Sequence, residues 1–100
     1  MELFALVTEF EKENASLLVF KRNESKTYSF KGIMQLLLLE KEGILTDSII
    51  IDKVVGEAAS SIFINANVKK IYTPLISSKA IKLLKDNKIP FIYEKEVPRI

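Results

Sequence analysis

The spacing of hydrophobic residues predicts that helices and strands alternate along most of the chain. Apolar side chains recur every three to four residues from Leu3 to Phe10, which predicts an amphipathic helix. Residues 15–22 and 27–30 are rich in Val, Leu, Phe and Tyr, and a polar stretch at 23–26 separates them. This pattern predicts two antiparallel strands joined as a hairpin.

A second helix is predicted over residues 33–42, because the stretch holds good helix formers with no β-branched residue after its first position. Gly43 stands where a left-handed C-terminal cap is expected. Four consecutive leucines leave no polar face in one turn of this helix, so its outer leucines require a cover from the same chain or from a partner. The β-branched run 48–51 does not alternate with polar residues, which predicts a central strand covered on both faces.

The remaining elements continue the alternation. Small and apolar residues at 58–66 predict a helix that lies close to the sheet and ends at an Asn67 cap, and residues 68–72 predict a short strand. Pro74 is expected to break the chain before a helix whose N-cap is Ser77 or Ser78. A last strand is predicted over residues 91–94. Strands that alternate with helices indicate an α/β fold with a mixed sheet between helices, in one domain spanning residues 1–100.

Composition removes several classes of chemistry. The chain has no Cys and no His, which excludes disulfide scaffolds, thiolate nucleophiles, imidazole bases and Cys/His zinc sites. We therefore predict no catalytic residue, no metal ligand and no cofactor. No apolar run approaches the ~20 residues of a membrane span, so we expect no membrane contact and a cytoplasmic location.

The charges are distributed unevenly, with an excess of acids before residue 50 and an excess of bases after it. Lysines are concentrated between Lys69 and Lys88, where Asp86 is the one acid. We interpret them as a solvated face that keeps a small domain soluble. Binding of a polyanion through this face is a weaker alternative, so nucleic acid is not an expected partner.

Two loops follow the carboxyl ends of the predicted parallel strands, where ligands bind in open α/β sheets. They are residues 52–57 and 73–78. A glycine near free helix N–H groups, charged side chains and hydroxyls are the features that indicate a ligand site there. Strand ends, glycine packing and N-capping explain the same residues structurally. The candidate ligand-binding residues are Asp52, Lys53, Gly56, Glu57, Ser77 and Ser78.

Four segments of the sequence resemble those of a known protein family. They are residues 51–59, 68–72 and 75–80, followed by Val97-Pro98. In order, spacing and loop residues the chain resembles a small family of uncharacterised prokaryotic proteins, a domain of unknown function with a cytidine deaminase-like fold. The resemblance implies a three-layer α/β/α sandwich around a five-stranded mixed sheet of order 2-1-3-4-5.

The chain differs from catalytic deaminases of this fold in the residues that bind zinc. Those enzymes carry a His-or-Cys, Ala, Glu motif after the third strand and a Pro-Cys-x-x-Cys motif before the next helix. The corresponding segments of this chain are Val55-Gly56-Glu57 and the region from Pro74 to Ser78. Valine cannot ligate zinc, and serine hydroxyls are poor substitutes for thiolates, so zinc-dependent deamination is excluded.

Two hypotheses about function remain open. The first is a non-catalytic protein that binds a small molecule, for example a nucleotide, in the cleft between the two loops. The second is an interaction module that forms a homodimer or binds a partner through Leu36, Leu37, Leu38 and Leu39, without a ligand. Metal-free acid–base catalysis through Asp52 or Glu57 is a less favoured third.

Overall fold

The computed structural model describes residues 3–100, so Met1 and Glu2 of the predicted domain lie outside the described part. Helices and strands follow one another in nearly the predicted order. The helices are α1 (Leu3–Lys12), α2 (Met34–Lys41), α3 (Glu57–Ala66) and α4 (Ser78–Asp86). The strands are β1 (Leu17–Lys21), β2 (Glu24–Tyr28), β3 (Ile49–Asp52), β4 (Val54–Val55), β5 (Lys70–Ser77) and β6 (Phe91–Val97).

The hairpin β1–β2 turns earlier than the sequence predicts. Arg22 and Asn23 connect the strands, both with positive φ, at 53° and 65°. Two central residues with φ above zero match the twist of the flanking strands, which is why such tight turns close hairpins. The predicted connection at 23–26 is therefore wrong, because Glu24 already pairs with Lys21 as the first residue of β2.

The sheet is mixed and open. β1 pairs antiparallel with β2 and β3, whereas β5 pairs in parallel with β3, β4 and β6. The pairs Ile51–Tyr72 and Val54–Leu75 follow the same register, so β3 and β4 are two halves of one strand interrupted at Lys53. When they are counted as one, the order along the sheet is β2-β1-β3/β4-β5-β6. This agrees with the expected order 2-1-3-4-5.

The interruption lies beside Pro74. This proline was predicted to break the chain after a strand at 68–72, but that prediction is wrong, because β5 continues through it. Proline has no N–H to donate to a neighbouring strand, so pairing lapses at this level while the strand continues to Ser77. The buried Thr73 satisfies the local backbone instead. Its hydroxyl donates to the Leu75 carbonyl at 3.0 Å and accepts from the Leu75 N–H at 3.3 Å. Because β5 continues, β6 also extends to Val97, beyond the predicted end at residue 94.

Helices cover both faces of the sheet. On one face, Leu6 and Phe10 of α1 pack with Leu18 and Ile51 in a small core. The neighbouring strand residues face the opposite way, as expected for alternation along a strand. There the other three helices build the larger core around Phe63. The chain is thus a mixed α/β fold in three layers.

Three predicted helix caps are confirmed. Gly43 adopts φ +75°, and the N–H groups of Gly43 and Ile44 reach back to the carbonyls of Glu40 and Leu39, as in a Schellman motif. Asn67 ends α3 in the left-handed conformation at φ 59°. Ser77 caps α4 by accepting a hydrogen bond from the Ala80 N–H at 3.1 Å. No helix within residues 3–100 has the length and apolar character needed to cross a bilayer.

Candidate functional site

A cleft of about 830 Å³ opens at the carboxyl end of the β3/β4 strand. One wall is the segment from Phe30 to Ile33 with the first turn of α2, and the opposite wall is the first turn of α3. Asp52 lies on the floor between them, at the point where pairing with β5 lapses. The interruption of the strand beside Pro74 therefore leaves a polar residue at this end of an otherwise apolar strand.

The structure brings together four of the six predicted site residues. Asp52, Lys53, Gly56 and Glu57 line the cleft. A loop was predicted for residues 52–57, but Val54 and Val55 form the short strand β4 within this segment. The two serines lie outside the cleft. Ser77 is buried as the N-cap of α4, and Ser78 is exposed, with its hydroxyl 2.7 Å from a carboxylate oxygen of Glu96.

Asp52 is the charged side chain with the most unusual environment. It is half-buried, next to the buried residues Ile51 and Val55. Burial raises the pKa of its carboxyl from 3.8 to about 7, and hydrogen bonds from the backbone of Val54 and Lys53 oppose that rise. The carboxyl is therefore divided between protonated and ionised forms near neutral pH.

Gly56 is the N-cap of α3, with an extended backbone at φ −100°. A glycine has no side chain to accept hydrogen bonds from the first turn of the helix, so this helix start has no side-chain cap, and Gly56, Glu57 and Ala58 line the cleft. The side chain of Ile100 covers Gly56, and its Cβ lies 3.5 Å from the position of a Cβ on residue 56. Ile100 therefore occupies the space directly beside this glycine.

Glu57 connects the first turns of the two neighbouring helices. Its carboxylate lies 3.4 Å from the ammonium group of Lys79, and both side chains are more than half exposed. Such a pair contributes little to stability in water. A second ion pair joins Lys82 and Asp86 at 2.9 Å, so two lysines of the predicted basic face are paired with acids.

Ser16 is not among the predicted site residues, yet it organises the floor of the cleft. Its hydroxyl donates to the Tyr28 carbonyl and accepts from the Phe30 N–H, both at 3.0 Å. Its own carbonyl accepts from the Lys53 N–H at 3.1 Å. One serine therefore fixes the end of β2, the chain before α2 and the interrupted β3/β4 strand. No local pattern indicates this role, because residues 28–30 and Lys53 are distant from Ser16 in the sequence.

The residues at the two helix starts do not fit the zinc ion that a deaminase-like fold implies. Val55 has no donor atom, and the Ser77 hydroxyl is engaged in capping α4. Within residues 3–100, no three side chains of the types that bind metals come together. No reaction step through a metal follows from these residues.

The four leucines of α2 divide between the core and the surface. Leu36 and Leu39 are buried in the chain's own core, and Leu37 is half-buried against it. Leu38 remains 52% exposed, beside Met34 at 61% and Ile33 at 41%. The self-association surface considered from the sequence is thereby reduced to an outer stripe, formed by Ile33, Met34 and Leu38.

Comparison with curated proteins finds no match. The solved structures that are similar to the chain include two with different degrees of likeness. One is RibD of Acinetobacter baumannii in form 2, with a TM-score of 0.57 and 10% identity, covering 78% of this chain and 27% of that one. The chain therefore corresponds to about a quarter of RibD, and the likeness concerns the fold alone.

The other is the crystal structure of TM1506 from Thermotoga maritima, a DUF1893 family protein. It has a TM-score of 0.90 and 29% identity, covering 98% of this chain and 67% of that one. The model of the TM1506 family, a domain of unknown function (DUF1893), matches residues 5–100, and the chain therefore belongs to this family.

Proposed function

We propose that this protein is a non-catalytic member of the cytidine deaminase-like fold that binds a small molecule in the cleft beside Asp52. The strand order and the likeness to part of RibD support the fold assignment. The observation that carries the function is the cleft itself, which brings Asp52, Lys53, Gly56 and Glu57 around one space of about 830 Å³. Concave sites with mostly apolar walls and a few polar groups are typical of ligand pockets.

The cleft also lies where this architecture favours ligands. In open α/β sheets, ligands bind beyond the carboxyl ends of the parallel strands, next to the point where the chain order reverses. Here β3/β4 has β1 on one side and β5 on the other, and α3 begins directly beyond it. The first-turn N–H groups of α3 and the carboxyl of Asp52 offer hydrogen-bond donors and an acceptor to one ligand.

Thermal-shift screening of nucleosides, nucleotides and other small metabolites tests the proposal. A ligand at one hundred times its dissociation constant stabilises the folded state by about 2.7 kcal/mol, which raises the melting temperature of a chain of this size by roughly 10 °C or more. Ala58 is exposed and lines the cleft, so Ala58→Trp is expected to fill it and abolish the shift.

Asn65→Trp provides the matched control, because Asn65 is exposed on the same helix outside the cleft. The control is expected to keep the full shift. Failure of every compound to stabilise the protein, or equal stabilisation of the Ala58→Trp variant, would show that the cleft is not a ligand site.

The outer stripe favours a second candidate function, self-association through α2. Met34 and Leu38 are four residues apart, so they lie on one face of the helix, and both are more than half exposed. Sedimentation measurements across a range of concentrations are expected to detect a dimer that Leu38→Lys dissociates. Gln35→Lys changes an exposed polar residue of the same helix and should leave the dimer intact. A wild-type monomer at all concentrations would eliminate this candidate.

A further inference from the structure

We propose that the ligand of this cleft presents to Asp52 a planar group with two adjacent N–H donors, of the amidine or guanidine type. This inference rests on the proposed function, since it names the chemistry that the same site recognises. It depends on the position of the acidic and basic groups around the cleft, on the acceptor capacity of one carboxylate, and on the walls beside it.

The charged groups of the cleft differ in depth. Asp52 is half-buried on the floor, whereas Lys31, Lys53 and Glu57 are exposed at the rim. An anionic group of a ligand would meet the two lysines in water, where ion pairs contribute little. A donor group would meet Asp52 where less water reaches the pair than at the rim, and hydrogen bonds to a charged acceptor are stronger there. The floor of the cleft therefore favours a donor.

The carboxylate has acceptor capacity to spare. An ionised carboxylate offers about four lone-pair sites, and within residues 3–100 the carboxyl of Asp52 interacts with the backbone groups of Lys53 and Val54. Two parallel N–H groups on one planar carbon match the remaining geometry of a carboxylate, as arginine does in its bidentate pairs. A single ammonium or hydroxyl group would use this capacity less completely.

The walls favour a flat ligand. Phe30 and Leu36 face the cleft from the chain around α2, while Ala59 and Ile100 face it from the opposite side. These apolar side chains can bury a ring or a short hydrocarbon that forms no hydrogen bonds. The chemistry is shared by a free aromatic amidine and by the N–C–N edge of a guanine base, so an experiment has to distinguish these two sources.

The test measures binding of four probes to the full chain at pH 8, by calorimetry or by chemical-shift titration. Benzamidine and guanosine carry the donor pair, and benzamide and inosine are their near-isosteres without it. We expect at least one donor-bearing probe to bind tenfold or more tightly than its comparator. Preference for benzamidine identifies a cationic amidine as the source, and preference for guanosine identifies a nucleobase edge.

Asp52→Asn is expected to reduce this affinity at least tenfold, because an amide cannot accept both N–H groups. Asp47→Asn makes the same chemical change at an exposed residue outside the cleft and should reduce it less than twofold. Wild-type protein provides a second readout that needs no variant. The affinity is expected to fall about tenfold from pH 8 to pH 6, as the carboxyl becomes protonated.

The charged groups that face Asp52 keep this pH effect interpretable. The charged residues that line the same cleft are Lys31 before α2, Lys53 next to Asp52 and Glu57 on α3. The neighbouring strands contribute uncharged residues, Leu17 of β1 opposite Asp52 and Thr73 of β5. Equal binding of donor probes and comparators, or ligands that bind the cleft with no loss in Asp52→Asn, would overturn the inference and leave the proposed function standing. If neither the probes nor the metabolite screen gives binding that Ala58→Trp abolishes, the inference and the proposed function are both overturned.

Discussion

The side chain of Ile100 lies against Gly56, with its Cβ 3.5 Å from the position that a Cβ atom of residue 56 would occupy. This distance is an ordinary van der Waals contact, and the backbone of Gly56 at φ −100° suits any residue. We therefore expect Gly56→Ala to change the free energy of unfolding by less than about 1 kcal/mol.

Gly43 provides the contrasting case. In the described chain nothing lies within 4 Å of a Cβ built on it, but its φ of +75° penalises any residue with a Cβ atom. Gly43→Ala is expected to cost about 1–2 kcal/mol. Urea unfolding of both variants measures the difference, and a larger loss for Gly56→Ala than for Gly43→Ala would contradict the account of both sites.

Asp52 is expected to make stability depend on pH. Burial raises the pKa of its carboxyl to about 7, so the folded protein binds this proton more tightly than the unfolded chain does, where the value is near 3.8. The contribution of Asp52 to the free energy of unfolding therefore falls as pH rises from about 4 to about 7, and is constant above that range. The full loss is on the order of 4 kcal/mol at most.

Asp52→Asn removes this titration, so the variant should be flatter than wild type between pH 4 and pH 7 in denaturant unfolding. Asp47→Asn is the matched control and should keep the wild-type slope, because Asp47 is exposed. Parallel pH profiles for wild type and Asp52→Asn would show that the carboxyl of Asp52 is not desolvated as described.

The two serines at the start of α4 are expected to differ in their effect on stability. The Ser77 hydroxyl accepts from the Ala80 N–H at 3.1 Å and is buried, so Ser77→Ala removes the cap and costs about 1 kcal/mol. Ser78 is exposed and its hydroxyl contacts the Glu96 carboxylate, so Ser78→Ala should cost less than about 0.5 kcal/mol. Thermal unfolding compares them, and equal losses would contradict the assignment of Ser77 as the N-cap.

Tyr72 is expected to ionise at higher pH than an ordinary tyrosine. Burial, a hydrogen bond that its hydroxyl donates to Glu94, and the negative charges of Glu94 and Glu11 raise the pKa of Tyr72 to about 12. Glu94→Gln should lower this pKa toward 10, whereas Glu96→Gln should leave it unchanged, because Glu96 contacts Ser78 instead. Ultraviolet titration in a Tyr28→Phe, Tyr93→Phe background isolates the signal. An unchanged titration in Glu94→Gln would refute this contact.

The elements that the sequence predicted well are those whose signals are local. The helix periods, the Gly43 and Asn67 caps and the β-branched run before Asp52 all act within a few residues of one another. The errors at Pro74 and at the β1–β2 turn have a different origin. A proline inside β5 is tolerated because Thr73 satisfies the backbone, and the strand is supported by neighbours on both sides. Local propensity carries no information about such neighbours.

The candidate site shows the same division. Asp52, Lys53, Gly56 and Glu57 could be selected from the sequence because they follow a buried strand directly. Ser16, Phe30 and Ile100 could not, since strand pairing across the sheet and the return of the chain after β6 bring them to the cleft. Ser77 carries the same hydroxyl signal as a ligand-binding serine, and the structure assigns it to a helix cap.

By itself, the sequence determined the α/β character of the chain, the position of its helices, its family resemblance and the lack of imidazole and thiol chemistry, because residue type and local spacing fix these properties. Only the tertiary structure decided that Asp52 is half-buried on the floor of a cleft, that Leu36 and Leu39 belong to the core, and that Leu38 faces outward. Burial is a property of contacts between distant parts of the chain, and the pKa of Asp52 follows from burial.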